Sequence, residues 1–310
     1  MKPYFTHLST NNKTVIIIAG PTAVGKTSVS IGVAKHLGTE IISADSRQCY
    51  KELSIGVARP SSAELAQVPH HFIGSHSIHQ KVTAAIFEEY ALEKVANIFQ
   101  KNNVVVMVGG TGLYIKAFTE GMDEVPDVPS TIRDEVVSDY KEKGLVWLQE
   151  EIRKLDSLFY QKGEMQNPQR MMRALEVVKA TGQSIYNFRK GIKKQRPFNI
   201  VKIALYLPKE QLHRNIHHRV DEMIAYGLLD EVKTLIPYQH LNALQTVGYK
   251  ELFDYCNGET TLHDAIEAVK QNTRQYAKRQ TTWFKKDKEY AWLTPDASEV
   301  LTCLKKALRH

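Results

Sequence analysis

The sequence predicts an α/β protein, a doubly wound parallel sheet with a helical insertion. Three observations lead there. Short runs rich in valine and isoleucine at 15–19, 40–44, 104–108 and 200–207 have the length and composition of strands buried on both faces. Helical stretches separate them, as a parallel sheet with crossover helices requires. Between 121 and about 197 the strand signal stops and amphipathic helical stretches replace it.

The first strand, 15–19, runs into Gly20-Pro21-Thr22-Ala23-Val24-Gly25-Lys26-Thr27 and then a helix over 28–37. This is G-x-x-x-x-G-K-[ST] between a strand and a helix, the context that makes it a P-loop. The glycines let successive backbone N–H groups face phosphate oxygens, and the helix adds its positive end. Lys26 adds a charge, and the Thr27 hydroxyl is placed to hold Mg²⁺. By itself the loop implies a bound diphosphate or triphosphate and leaves open which one. The second strand, 40–44, ends in Asp45-Ser46-Arg47-Gln48, and the third, 104–108, ends in Gly109-Gly110-Thr111-Gly112. Ligands of such sheets sit beyond the carboxyl ends of the strands. The three turns are therefore expected to converge on one crevice.

The proline-spaced stretch 123–129 reads as a hinge. Helices are expected after it at 130–143, 145–155 and 169–181. The strand 200–207 resumes the sheet, and helices at 211–226 and 262–285 return to the core. The predicted division is a P-loop core over 1–122, a helical insertion over 123–197, and the rest of the core over 198–310.

With 310 residues and 43% hydrophobic content, the chain can bury a full core and a smaller addition. Its apolar runs are too short to span a bilayer, and its start has no signal-peptide pattern. Cys49, Cys256 and Cys303 lie far apart without C-x-x-C, so a reduced, cytoplasmic setting is expected. The formal charge of +7 suits a nucleic-acid partner. Its distribution says more: Lys270, Arg274, Lys278, Arg279, Lys285, Lys286 and Lys288 face a single acid, Asp287, with Tyr276, Trp283 and Phe284 interleaved.

His213, His217 and His218 show i, i+4 spacing, and His70, His71, His76 and His79 cluster. No glutamate stands in H-E-x-x-H register and no cysteine accompanies them, which argues against a structural metal.

Eight motifs give the chain a family likeness. They are GPTAVGKT (20–27), DSRQCYKELSIGVARP (45–60), VPHHFI (68–73), VGGTGLYIKA (108–117), NPQRMMRALEVVKATG (167–182), RVDEMIAYGLLDEV (219–232), VGYKEL (247–252) and TRQYAKRQTTWF (273–284). In this order they resemble bacterial tRNA dimethylallyltransferases, also called tRNA isopentenyltransferases. The resemblance implies transfer of a dimethylallyl group from dimethylallyl diphosphate to N6 of the adenosine 3′ of the anticodon, with Mg²⁺ as cofactor; the sequence gives no oligomeric state, and a monomer binding one tRNA is the simplest expectation.

The resemblance also implies roles for residues. Gly20, Thr22, Ala23, Val24, Gly25, Lys26, Thr27 and Arg214 would bind the donor diphosphate, with Lys26 also catalytic. Asp45 would be the general base and Thr111 would act at the diphosphate. On residue chemistry alone, Asp45 is equally a helix cap or a water-mediated Mg²⁺ ligand. Thr111 has the alternative of a helix N-cap, and Arg214 that of a solvated helix arginine. Contacts to tRNA would come from Asp45, Ser46, Arg47, Gln48 and Thr111, and from Arg133, Gln169, Arg170, Met171, Met172 and Arg173 in the insertion. Further contacts would come from Gln245, Thr246, Val247, Gly248, Tyr249 and Lys250, and from Lys278, Arg279, Gln280 and Trp283. A loop base would be flipped out and read on its hydrogen-bonding edge. Trp283 and Phe284, at helical spacing, equally suit a core.

The chain departs from the family's common pattern at Gly74, where an aspartate is usual, and in Gln166-Asn167-Pro168-Gln169-Arg170, which lacks an acid. Three rival readings share the P-loop. A kinase would need a second Mg²⁺-supporting acid and an arginine-bearing lid, which the insertion imitates. A guanine-nucleotide switch would carry N-K-x-D, which the chain lacks. An enzyme prenylating free AMP would not need the insertion or the basic helix.

Overall fold

A computed structural model of the chain describes residues 13–307; residues 1–12 and 308–310, the two ends of the expected division, lie outside the described residues. The described residues form two compact units, 13–120 with 195–307, and 121–194.

The first unit holds a six-stranded sheet of β1 (Thr14–Ala19), β2 (Ile41–Ser43), β3 (His70–His71), β4 (Val104–Gly109), β5 (Asn199–Leu205) and β6 (Ala291–Leu293). Its order is β3-β2-β4-β1-β5-β6, and every neighbouring pair is parallel. The four predicted strands are present and central. The two edge strands were not foreseen, because segments of two and three residues are too short to show a period.

Four helices accompany the first half of the sheet: α1 (Lys26–Leu37), α2 (Ser62–Leu65), α3 (Ala84–Ile98) and α4 (Gly112–Glu120). The second unit contains α5 (Ser130–Leu155), α6 (Ser157–Lys162), α7 (Pro168–Thr181) and α8 (Ile185–Phe188). The chain then returns through α9 (Lys209–Ala225), α10 (Leu228–Thr234), α11 (Tyr249–Cys256), α12 (Leu262–Lys285) and α13 (Ala297–Ala307).

All six residues of β1 are buried, which explains its unbroken apolar run. On one face Ile16, Ile18, Val106, Val201 and Ile203 pack with Val29 and Val33 of α1 and with Val300 and Leu304 of α13. Both neighbours of β1 run level with it, since Ala19 pairs with Gly109 on one side and Ala204 on the other. The turns after β1 and β4 therefore start at the same height. The turn after β2 joins them closely, with the Ala44 amide donating to Val108 and the Ala44 carbonyl accepting from Thr111 at 3.2 Å. A side-chain carbon at position 109 would lie 2.2 Å from that carbonyl, so glycine is required for the approach.

In the second unit, Val136, Leu148, Ile152, Phe159, Met171, Leu175 and Val178 form a core of their own. Two helices were expected where α5 runs, and its backbone is broken at Gly144 (φ 76°, ψ −165°), between the two predicted segments. Asp156 caps α6 through Phe159 N at 2.8 Å, and Asn167 caps α7 ahead of Pro168 at its first position.

Candidate active site

Beyond the carboxyl ends of β1, β2 and β4, the first unit opens into a cleft of about 510 Å³. The floor is the P-loop. Its amide and carbonyl groups are held from outside by two helices. Gln280 of α12 accepts from Thr22 N at 2.8 Å and donates to the Gly110 carbonyl at 2.9 Å, so one side chain ties the first and third turns together. Asn215 of α9 donates to the Ala23 carbonyl at 3.2 Å, and Ala23 packs with Ile216 and Ala277. Gly20, Thr22, Ala23, Val24, Gly25, Lys26 and Thr27 thus form a rigid turn, of which Thr22, Ala23, Gly25, Lys26 and Thr27 line the cleft. Val24 faces the core and is 1% exposed.

The Lys26 ammonium donates to the Pro21 carbonyl at 2.7 Å, folded back on its own loop. Burial, with the Arg219 guanidinium beside it, lowers its pKa to about 7 against the opposing pull of Asp45. Arg219 stands over the loop, with Nη1 at 3.4 Å from the Thr22 hydroxyl. Burial lowers its pKa as well.

Arg214 is not at this site. It is exposed and does not line the cleft, because its position on α9 faces away. The arginine of α9 that reaches the loop is Arg219, which sequence reading missed. A signal was available: Ile216, Arg219, Val220 and Met223 share one helix face by i, i+3, i+4, i+7 spacing, and all four line the cleft.

One wall is the Asp45–Gln48 turn, whose four residues all line the cleft. Asp45 Oδ1 accepts from Arg47 N at 2.9 Å and Gln48 N at 3.2 Å, so the turn is closed by the carboxylate it displays. That is a local capping role. It leaves Oδ2 without a protein hydrogen bond among the described residues. Thr111 does stand just before α4, and its carbonyl accepts from Tyr114 N at 2.9 Å. Its hydroxyl points elsewhere: it accepts from Ser46 N at 3.0 Å and approaches Ser46 Oγ at 3.3 Å, and Thr111 is not among the residues that line the cleft. Tyr276, also missed by sequence reading, lines the cleft, and burial with the nearby Asp45 charge pushes its phenol to about 12. Arg47 lines the cleft too, with Nη1 donating to the Asn242 carbonyl at 3.0 Å.

The opposite wall holds Gln245, Thr246, Val247, Gly248 and Lys250. Tyr249, expected to contact RNA, is fully buried and donates its hydroxyl to Glu231 at 2.6 Å. Gln280, expected there as well, is 6% exposed and has both ends of its amide engaged. An apolar strip of Ile216, Val220 and Met223 from α9 and Val269 from α12 completes the cleft. Arg279 reaches its edge. Lys278, Arg279 and Trp283 border a second, more open groove along α12 with Gln275, Thr282 and Lys286. Trp283 is 37% exposed and packs over Gly112, whereas Phe284 is core.

In the second unit, Arg133 and Arg173 converge on the buried Glu176 at 3.6 and 3.2 Å, and Arg170 pairs with Glu164. Gln169 is exposed. Met171 and Met172, expected to touch RNA, face the core of this unit at 0% and 7% exposure. They fall on the buried face of an amphipathic helix with Leu175 and Val178, and burial of their sulfur-bearing chains stabilises it.

The histidines serve local bonds. His71 pairs with Glu40 at 2.5 Å, His70 Nδ1 bonds the Val68 carbonyl at 2.7 Å, and His217 bonds Arg274. Among the described residues no helix is long and apolar enough to cross a membrane. Nor does any group of three or more His, Cys, Asp or Glu side chains come together as a protein-only metal site among them.

Comparison with known proteins adds an independent finding. Residues 48–287 match the family model described as IPP transferase. The chain is 44% identical over 293 residues to tRNA dimethylallyltransferase 1 of Bacteroides thetaiotaomicron, covering 94% of this chain and 95% of that protein. It is 48% identical over 282 residues to the tRNA dimethylallyltransferase of Christiangramia forsetii, covering 91% and 93%. The crystal structure of tRNA isopentenylpyrophosphate transferase from Bacillus halodurans superposes with a TM-score of 0.71 at 32% identity, covering 96% and 97%. A eukaryotic dimethylallyltransferase acting on tRNA superposes with a TM-score of 0.75 at 27% identity, covering 95% of this chain and 77% of that one.

Proposed function

The chain belongs to the IPP transferase family, and from that premise we propose that it transfers a dimethylallyl group from dimethylallyl diphosphate to N6 of the adenosine 3′ of the anticodon in tRNA. The observation that carries this reading is the composition of one cleft. It has a phosphate-binding floor, a carboxylate wall and an apolar strip within about 510 Å³. A five-carbon prenyl tail is uncharged and packs against such a strip, beside the groups that hold its diphosphate.

An adenine amine is a weak nucleophile because its lone pair is delocalised into the ring. The reaction breaks the C1–O bond of the donor, forms C1–N6, releases diphosphate and transfers one N6 proton to a base. Charge develops on the departing diphosphate, and preorganised donors at that charge supply the largest catalytic share. The loop amides, Lys26 and Arg219 are such donors. Binding energy is already invested in their placement, since Gln280 and Asn215 hold the loop before any ligand arrives. Thr111, whose hydroxyl is held on Ser46 just behind the residues that line the cleft, would donate to the bridging oxygen once the diphosphate is bound. Asp45 takes the N6 proton as the C–N bond forms, when the nitrogen becomes acidic.

The residues fit a magnesium ion that arrives with the diphosphate. Mg²⁺ uses one or two protein oxygens together with substrate phosphates and water, and the Thr27 hydroxyl on the cleft floor is one such oxygen. Bound there, the ion would neutralise charge on the leaving diphosphate. One tRNA per monomer is the working unit in this reading, with the cytoplasm, where a tRNA acceptor is met, as the compartment.

The test mixes the protein with Mg²⁺, labelled dimethylallyl diphosphate and tRNA, with ATP and free AMP in parallel reactions. Label is expected in an adenosine of the anticodon loop. Label in AMP alone, or phosphoryl transfer from ATP without prenylation, would sink the proposal. Asp45→Ala is expected to lower turnover by about 10²–10⁴-fold, the usual share of a general base, with tRNA affinity largely kept.

A further inference from the structure

Glu176, on α7, is a carboxylate inside the second unit, and two arginines from different helices close on it. Arg133, near the start of α5, places Nε 3.6 Å from Oε1. Arg173, one turn earlier on α7, donates from Nη1 to Oε2 at 3.2 Å. The acid's side chain is 4% exposed, against 45% for Arg133 and 36% for Arg173. A carboxylate buried this deeply needs a cation to offset its lost hydration. One arginine meets that need, and the second leaves a positive charge in excess at the exposed side of the cluster.

Each guanidinium has only part of its donor set engaged. Both Nη groups of Arg133, and Nε and Nη2 of Arg173, make no bond to the protein among the described residues. Two like charges would otherwise splay apart, and long arginine side chains have many rotamers to lose on binding a ligand. Glu176 removes both obstacles by holding the pair in advance. The joining of α5 to α7 has other means: Val136 packs with Met171 and Leu175, and Lys179 bonds Glu135 at 2.8 Å across the same two helices. What the buried acid adds is the placement of the arginines. Planar guanidiniums with free N–H groups suit phosphate oxygens, which they bind in parallel pairs of bonds.

We propose that Glu176 is a positioning residue for RNA: it holds Arg133 and Arg173 together as one preorganised fork for a backbone phosphate. The inference rests on the proposed tRNA substrate. It adds a negatively charged residue that strengthens the binding of a polyanion.

The test measures tRNA affinity, without prenyl donor, over a series of salt concentrations for Glu176→Gln and Glu135→Gln. Each change removes one negative charge and one tie between α5 and α7. If an acid acts on RNA through its charge alone, both changes tighten binding. The fork predicts effects of opposite sign. Glu135→Gln is expected to bind as the wild type does or up to about twofold tighter. Glu176→Gln is expected to bind about 5- to 50-fold more weakly, since two arginines must then be ordered on binding. Its slope of log affinity against log salt should shrink by about 0.7–0.9, one phosphate contact. Binding by Glu176→Gln as tight as the wild type or tighter would overturn the inference, as would an equal weakening in Glu135→Gln. If Glu176→Gln fails to melt cooperatively, the arginines decide. A fork needs both prongs, so Arg133→Gln with Arg173→Gln should lose no more than about threefold beyond the larger single loss. Losses that multiply would show two independent contacts and overturn the fork. Failure of the wild type to bind tRNA at all would instead strike the proposed function.

Discussion

Lys26 carries the P-loop's charge, yet without ligand its pKa is lowered to about 7 by burial and by Arg219. A lysine lowered in the folded state is charged in the unfolded chain up to its ordinary value. The unfolded state therefore binds more protons between about pH 7 and 10.5, and stability rises with pH across that window from this group. Binding of a diphosphate works the other way, since its negative charge favours the ammonium and raises the pKa. Proton uptake is expected when the donor binds at pH 8, and donor affinity should fall as pH rises through about 7. Titration calorimetry in buffers of different ionisation enthalpy measures the uptake, and Lys26→Met, run in parallel, should lose the part due to this side chain. The two arginines of α9 give a second test. Arg219→Ala is expected to raise the KM for the donor by about 10- to 100-fold, as loss of a charged hydrogen bond does. Arg214→Ala, exposed and outside the cleft, should change it by less than about twofold. Equal effects would mean that the face of α9 has been misassigned. Sequence reading put the diphosphate-binding arginine at Arg214, which is exposed and outside the cleft, whereas Arg219 stands over the loop. Proximity in sequence to a motif is a poor guide where helix phase decides the direction.

At the level of elements, the cleft depends on α9 and α12 as much as on the strands. Along α12, Val269, Asn272, Thr273, Tyr276 and Gln280 fall on one face, and all line the cleft. Gln280 joins two turns that belong to different strands, with its donor on Gly110 and its acceptor on Thr22. Gln280→Leu leaves a buried N–H and a buried C=O unpaired, at about 1–3 kcal/mol each. A drop in thermal midpoint of several degrees is expected, together with a weakened donor affinity. An unchanged midpoint would show that water replaces the amide. The strands of the sheet, the break at Gly144 and the extent of α12 were legible in the sequence because period, glycine and composition are local signals. Edge strands β3 and β6 were not, because pairing in a sheet can recruit two or three residues with no pattern of their own. Met171 and Met172 illustrate a related limit. A family motif marks a segment, but only the packing of α7 shows which of its residues face the core.

For the whole molecule, the excess of seven positive charges and the groove along α12 carrying Lys278, Arg279 and Lys286 predict electrostatic binding of tRNA. The logarithm of affinity should fall linearly with the logarithm of salt concentration, with a slope that grows by about 0.7–0.9 per phosphate contacted. Lys278→Ala with Lys286→Ala should lower that slope by about 1.5 without altering which base is modified. A slope unaffected by both changes would remove this groove from the RNA-binding surface. The +7 charge was evident from composition, but its useful part was not. Many of the cations are engaged within the protein: Lys202 is buried with Asp287 and Glu289, and Arg196 with Glu88.

Strand and helix patterning, the phosphate loop with its lysine and threonine, and the order of the eight motifs are all written along the chain. They establish the α/β fold class and the family, because each arises from residues close together in sequence, where local propensity and backbone geometry act. The placement of Arg219 over the loop, the burial of Tyr249 and Gln280, and the bonds of Glu231 to the 54–56 amides belong to the folded state. Each depends on groups far apart in the chain, such as Gly56 and Glu231, 175 positions apart. Direction, burial and hydrogen-bond partner come into being only when distant elements pack, so no reading of neighbours along the chain contains them.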